Sequence, residues 1–463
     1  MDQAQTANAA AGPHAAAPVR IGVDGYNLAM PRGTGVATYG RVLTEALAAM
    51  GHPVDMLYGL NIPSRIPDLL REVSFFDSLD SDESSKGRRS RIGMWSPVRD
   101  AVGGLRAVEA VPIPITGRVV AEGFQARMPR FSRILNVEGL WDRAMRHFKL
   151  WGRFMRVRIP DPPAVMHWTY PLPVLLEGAR NIYTLHDLVP LRLPYTTLDD
   201  KRFYLRLIRG CLRWGDGVCT VSEASKRDIM DLFGTPAARV TNTYQSATPA
   251  AMPVDDAGLG EWLAGVMGLQ RDNYFLYFGA LEPKKNVGRL LEAYLASRVA
   301  SPLVIVGGRA WRSEGELRLL HQGGTGAAGV RQFDYMPRPW LTALIRGARG
   351  VMFPSLYEGF GLPVLEAMQL GAPVVTSTES SLPEVAGDAA LLVNPYDTAA
   401  IASAMQRMDS DPALRERLSA AGLAQAERFS VSAYQGRLTA LYAAVLAGPA
   451  GAPVVEPSRQ RLL

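Results

Sequence analysis

One pattern occurs twice and dictates the architecture: a short apolar strand running into a glycine-bearing loop and then a helix. The first copy is Val19–Asp24, a loop from Gly25 to Gly35, and a helical pattern over Val36–Met50 that Gly51 stops. Pro53–Tyr58 then reads as a second strand. The second copy is Tyr274–Phe278, a loop, and a helix over Val287–Ser297. Such a unit opens a doubly wound α/β domain. A closed eight-stranded barrel has no need to restart the glycine turn in mid-chain, whereas two Rossmann-like domains facing each other do.

The remaining apolar runs fit this reading. In the first half they are Ala164–Thr169, Asn181–His186, Gly217–Val221 and Arg239–Thr243. In the second they are Pro302–Val306, Gly350–Pro354, Pro373–Thr376 and Ala389–Val393. Ser222 suits the N-cap of a helix that ends at Phe233, with Gly234 as its stop. The expected fold class is therefore α/β. It has a first domain over 19–250, a second over 268–430, and a blurred pattern between Ala250 and Gly268. Residues 1–18 and 448–463 read as disordered ends.

Composition narrows the class. With 48% hydrophobic residues among 463, wholesale disorder is excluded. Two cysteines, Cys211 and Cys219, exclude a disulfide scaffold and suit a cytoplasmic protein. No run approaches the roughly 18 apolar residues of a membrane span. Asp2 and the lack of a basic start argue against a signal peptide.

The stretch Pro354–Met368 carries the most chemistry. Gly359 and Gly361 keep its loop free of side-chain bulk, and Pro363 suits the first turn of a helix running to about Leu370. A helix start offers free N–H groups and a positive dipole end to an anion such as a diphosphate. Glu358 and Glu366 can accept hydrogen bonds from the hydroxyls of a sugar or ribose. Three other places are notable. Gly33-Thr34-Gly35 follows the first strand. His186 ends another strand in Thr184-Leu185-His186-Asp187, with Asp187 suited to holding the turn. Lys284 and Lys285 open a helix, where cations oppose the dipole unless an anion binds.

Glu358 and Glu366, seven residues apart around Gly-Phe-Gly-Leu-Pro, resemble the EX7E element of retaining GT-B glycosyltransferases, and the nearest group is family 4. The likeness spans roughly residues 19–58 and 164–445. It implies two facing Rossmann-like domains with a C-terminal helix, here Ala433–Val445, crossing back at about 431–446. It further implies transfer from a nucleotide sugar with retention, with no metal and no cofactor. By that resemblance Glu366 meets the ribose and Glu358 the sugar. The backbone at Phe360, Gly361 and Leu362 faces the donor, as do Gly33 and Gly35. Lys285, helped by Lys284, meets the diphosphate, with Ala280 standing where many members carry Arg. His186 lies near sugar and acceptor, where its imidazole can donate to a hydroxyl or to the leaving oxygen. Tyr335 would line the base pocket. The first half is most similar to mannosyltransferases, which favours GDP-mannose and leaves UDP-sugars open.

The net charge of +6 is unevenly spread. Residues 86–158 hold 16 Lys/Arg against five Asp/Glu, a local +11 within an insertion over about 60–160. The remainder is slightly acidic, which argues against a nucleic-acid partner. Inside the insertion, Leu140–Arg158 has helical spacing. Trp141, Ala144, Met145, Phe148, Trp151 and Met155 share one face, and Arg143, Arg146, Lys149, Arg153 and Arg156 lie elsewhere. Such a helix fits an anionic membrane surface or a lipid-linked diphosphate acceptor, and equally an ordinary helix packed on the first sheet. Taken with the family resemblance, these features imply a peripheral protein of the inner membrane face acting on a polyprenyl-diphosphate-linked oligosaccharide in surface polysaccharide synthesis.

Asp80-Ser81-Asp82 matches a metal-binding Asp-x-Asp, but in the Ser/Asp/Glu-rich stretch Asp77–Ser90 it reads as a solvated loop. No Cys/His cluster offers zinc ligands. Val36-Ala37-Thr38 after Gly35 breaks a dinucleotide fingerprint, which disfavours an NAD enzyme. A non-catalytic sugar-binding subunit remains an alternative, with Ala280 as its only support.

Overall fold

The computed structural model describes residues 18–30, 35–80, 106–120, 124, 128–308 and 329–448. Of the ends expected at 1–18 and 448–463, all but Pro18 and Gly448 lie outside these, as do Gly33 and Ser81-Asp82 of the Asp-x-Asp match.

The chain forms β1 (Ile21–Asp24), β2 (Val54–Tyr58), β3 (Val108–Glu109), β4 (Val111–Ile113), β5 (Arg133–Asn136), β6 (Met155–Arg158), β7 (Val165–Trp168), β8 (Val174–Leu176), β9 (Arg180–Thr184), β10 (Gly217–Thr220) and β11 (Val240–Asn242). After them come β12 (Phe275–Phe278), β13 (Leu303–Val306), β14 (Val330–Phe333), β15 (Gly350–Phe353), β16 (Val374–Ser377) and β17 (Ala390–Val393). Eight strands make the first sheet in the order β11-β10-β9-β7-β1-β2-β5-β4. All its pairs are parallel except β4 with β5. The second sheet is β14-β13-β12-β15-β16-β17 and wholly parallel. β3, β6 and β8 form a small third sheet. Helices cover the parallel sheets, so the central strands are buried on both faces and read as continuous apolar runs, such as LVIV in β13.

The glycine loops feed helices as expected, over Gly35–Ala49 and Val287–Ser297. Ser222 caps Glu223–Phe233 by accepting from Ser225 N, and Gly234 ends that helix in a left-handed conformation. The last helix, Val431–Ala447, crosses back to the first sheet. There Tyr442 Oη lies 2.8 Å from His167 Nδ1 on β7, and Arg180 donates to Gly448 O.

Two expectations are corrected. Asp77–Asp80 belongs to a helix, Asp68–Asp80, rather than to a loop. Its own Phe75, Phe76 and Leu79 are buried, so its last turns pack on the core instead of lying in solvent. The helix over Leu140–Arg158 ends at Trp151, where Gly152 donates to Phe148 O at 2.8 Å. Met155–Arg158 is then a strand, with Met155 and Val157 buried and Arg156 and Arg158 exposed. In Met-Arg-Val-Arg the two-residue alternation wins over the 3.6-residue spacing. The helix buries Leu140, Ala144, His147 and Phe148, and leaves Leu150 and Trp151 64% and 54% exposed.

Candidate active site between the two sheets

The loop after β15 and the loop after β9 meet. A Cβ on Gly359 would stand 2.5 Å from the carbonyl oxygen of His186, so only glycine permits this approach. Ser225 Oγ donates to His186 O at 2.7 Å and to Gly359 O at 3.4 Å.

The β15 loop is pinned from several sides. Asn286 Nδ2 donates to Pro354 O at 3.0 Å and to Pro395 O at 2.7 Å. Leu356 N donates to Lys284 O at 2.7 Å. Ser380 Oγ accepts from Glu358 N, and Ser381 Oγ donates to the carbonyls of Glu358 and Phe360. Phe360 is buried against Tyr244 and Phe429, so its side chain anchors the loop. Gly361, at φ 105°, caps the helix Leu362–Gln369. These serines and Asn286 were not singled out in the sequence, because nothing in their spacing links them to a loop up to 70 residues away.

Lys285 Nζ donates to Glu358 Oε1 at 2.5 Å. Burial alone would push the Glu358 carboxyl up, but Lys285 and Lys284 outweigh it and hold it below the usual carboxylate range. It therefore stays an acceptor at neutral pH. Lys284 Nζ lies 3.8 Å from both Asp187 Oδ2 and Glu282 Oε1. Burial would lower its pKa, but Asp187, Glu358 and Glu282 raise it above the ordinary lysine range. Asp187 also accepts from Val189 N at 3.1 Å, the expected turn role. Two charged lysines thus stand among three carboxylates. An incoming diphosphate would compete for the cations and release Glu358 to accept from hydroxyls.

His186 Nε2 lies 2.8 Å from Thr169 O. A carbonyl only accepts, so Nε2 carries the hydrogen and Nδ1 keeps the lone pair. Burial depresses the pKa of His186, which keeps the ring neutral at pH 7. Its unshared nitrogen is therefore an acceptor, where the sequence reading had it donating. The Tyr39 ring stands edge-on at 4.9 Å.

Glu366 Oε1 accepts from Arg338 Nη2 at 2.9 Å, a partner that no local pattern flags. Tyr335 follows β14 and is 79% exposed. Gly35 opens its helix in an exposed position. Arg143 turns back to donate to Glu138 O at 3.0 Å and is half-buried, so it is not on the outer face. Arg146, Lys149, Trp151 and Arg153 are exposed. Among the described residues, no three His, Cys, Asp or Glu side chains group as a metal site, and no helix is long and apolar enough to cross a membrane.

Contacts between the halves extend beyond the lysines. Glu384 accepts from Glu223 N and Ala224 N, both at 2.9 Å, and from Tyr244 Oη at 3.1 Å. Tyr357 Oη donates to Asp228, which also pairs with Arg192.

Comparison with known proteins gives this geometry its context. Residues 33–244 match Glycosyltransferase Family 4, and residues 268–425 match Glycosyl transferases group 1. The chain is similar to O-antigen chain mannosyltransferase B of Escherichia coli, 37% identical over 266 residues that cover 56% of this chain and 68% of the relative. It is 29% identical over 264 residues to the serotype-specific mannosyltransferase WbdA of Escherichia coli, covering 54% of this chain but only 32% of that larger protein. Among solved structures, sucrose-phosphate synthase from Thermosynechococcus elongatus shares the fold at 20% identity, with a TM-score of 0.60 over 93% of this chain and 99% of that one. The chain therefore belongs to the GT-B glycosyltransferases of family 4, alongside the O-antigen chain mannosyltransferases, and is a glycosyltransferase.

Proposed function

We propose that this glycosyltransferase moves mannose from GDP-mannose onto a polyprenyl-diphosphate-linked saccharide, without a metal and with retention at the anomeric carbon. The observation that carries the reading is the Lys285–Glu358 pair, with Lys284 beside it and His186 opposite. A departing diphosphate gains charge, and preorganised lysines in a buried site stabilise it. The first half, over about 19–250, would hold the acceptor and the second, over about 268–430, the donor. The bond from the anomeric carbon to the diphosphate breaks, the acceptor oxygen bonds to that carbon on the same face, and the acceptor proton passes to the departing diphosphate. Glu366, with Arg338, is assigned to the ribose. The backbone at Phe360, Gly361 and Leu362 is assigned to the donor, and Tyr335 to the base. Mannose is favoured by the names of the relatives.

The exposed cations Arg146, Lys149 and Arg153, next to exposed Leu150 and Trp151, support docking on an anionic inner membrane face. A second basic helix, Lys201–Trp214, lies against the first through Phe148 and Phe203, with ring centroids 5.5 Å apart. It exposes Arg202, Arg206, Arg209 and Arg213.

A panel of nucleotide sugars, with lipid-linked and soluble acceptors, tests the reaction with and without EDTA. GDP-mannose should be turned over onto the lipid-linked acceptor with EDTA present, and Glu366→Ala should lower kcat/KM for the donor by about 10–100-fold. Turnover only with a UDP-sugar rejects the donor, loss of activity in EDTA rejects metal independence, and no turnover with any pair rejects the reaction.

A further inference from the structure

Asp24 ends β1 and has no exposed surface. Its carboxylate accepts from Thr169 N through one oxygen and from Tyr26 N, at 3.2 Å, through the other. Thr169 follows β7, which lies between β1 and β9 in the sheet. The carbonyl of the same Thr169 is the partner of His186 Nε2, at 2.8 Å. Three adjacent strands thus place Asp24, Thr169 and His186 in a row along the carboxyl edge of the sheet. One residue's backbone is gripped at its N–H by a carboxylate and at its carbonyl by the imidazole.

Such a carboxylate is costly. Burial pushes its pKa up to about 6, against the pull of the Thr169 and Tyr26 N–H groups. Asparagine would fill the same space without a charge to desolvate. An amide, however, offers one acceptor oxygen and one donor nitrogen, so it cannot accept from both N–H groups with its two terminal atoms. Only a carboxylate satisfies Thr169 N and Tyr26 N together.

We propose that Asp24 is a positioning residue for His186: by fixing the backbone of Thr169 it holds the imidazole with hydrogen on Nε2 and a lone pair on Nδ1. The acceptor atom of His186 then faces substrate hydroxyls in one orientation. A group that orients a histidine through its other nitrogen sets what the free nitrogen can do. The part of the inference that concerns turnover rests on the function proposed for His186 above.

The test compares Asp24→Asn, His186→Ala and the double variant. Asp24→Asn should lower kcat about 10–100-fold while KM for the donor stays within about threefold. It should cost nothing further in the His186→Ala background. In protein carrying ¹⁵N-histidine, the His186 ring, identified by its loss in His186→Ala, should report a single Nε2–H tautomer in the wild type and a mixture in Asp24→Asn. Unchanged kcat, or the same cost with and without His186, would overturn a role exercised through His186 in turnover. An unchanged tautomer would overturn the positioning itself. Full activity of His186→Ala would reject the role given to His186 in the reaction, while the tautomer would still decide whether Asp24 positions it. Should Asp24→Asn fail to fold, Asp24→Ser, which keeps one acceptor in a smaller volume, serves in the same comparisons.

Discussion

His167 joins the crossover helix to the first sheet through a fully satisfied ring. Nδ1 meets Tyr442 Oη at 2.8 Å and Nε2 meets Thr184 Oγ1 at 2.7 Å. Burial pushes its pKa down to about 3, with His186 adding to the effect. The unfolded chain would bind this proton near pH 6.5, so protonation favours unfolding. Stability from this site is intact above about pH 6.5 and is lost progressively as pH falls toward 3. Between pH 7 and 5 the wild type should lose about 2 kcal/mol that His167→Gln does not lose. Urea unfolding at pH 7 and at pH 5 reads the difference, and parallel losses in both proteins would remove His167 as the cause. At this scale the site was half legible. Glu358, Glu366, Lys285 and His186 were singled out because each sits in a short motif of its own. Arg338, Asp24, Ser225 and Glu384 were not, because each meets its partner only through the fold.

Among the elements, the helix Leu140–Trp151 divides its residues between packing and solvent. Its inner stripe of Leu140, Ala144, His147 and Phe148 joins the first half's interior. Its outer side carries Arg146 and Lys149, with Leu150 and Trp151 at the end and Arg153 just beyond. Both readings offered by the sequence are thus physically compatible, since packing uses one stripe and leaves the cations in water. Reversing Arg146, Lys149 and Arg153 to Glu should weaken binding to phosphatidylglycerol-containing liposomes at least 100-fold, at about 1 kcal/mol for each cation near the surface. Wild-type binding should fall as salt rises. Co-sedimentation unaffected by the reversal would rule the helix out as the contact. Arg143 is left in place because it is turned inward onto Glu138 O. The helix was read seven residues too long because the run Trp151 to Met155 keeps an apolar rhythm that hides the stop at Gly152.

For the whole molecule, charged and backbone contacts join the halves. Glu384 completes the N-terminus of the helix Glu223–Phe233 from the opposite side, satisfying two N–H groups that the helix cannot satisfy alone. A carboxylate there also suits the helix dipole. Glu384→Ala should cost about 1 kcal/mol and open the ligand-free molecule, seen as a larger radius of gyration in solution scattering with unchanged far-UV circular dichroism. An unchanged radius would show that this contact does not hold the halves together. The sequence by itself determined the two βα-built halves and most of the strands of the parallel sheets, but not β3 to β6, β8, β14 or the helix Asp68–Asp80. Strand periodicity, caps and glycine turns act over a few residues and leave local marks. Tertiary structure alone decided which nitrogen of His186 is unshared, that Lys284 faces Asp187, that Gly359 touches His186, and that Glu366 is held by Arg338. Each depends on strands far apart in the chain lying side by side, or on the two halves meeting, and no periodicity encodes the partner.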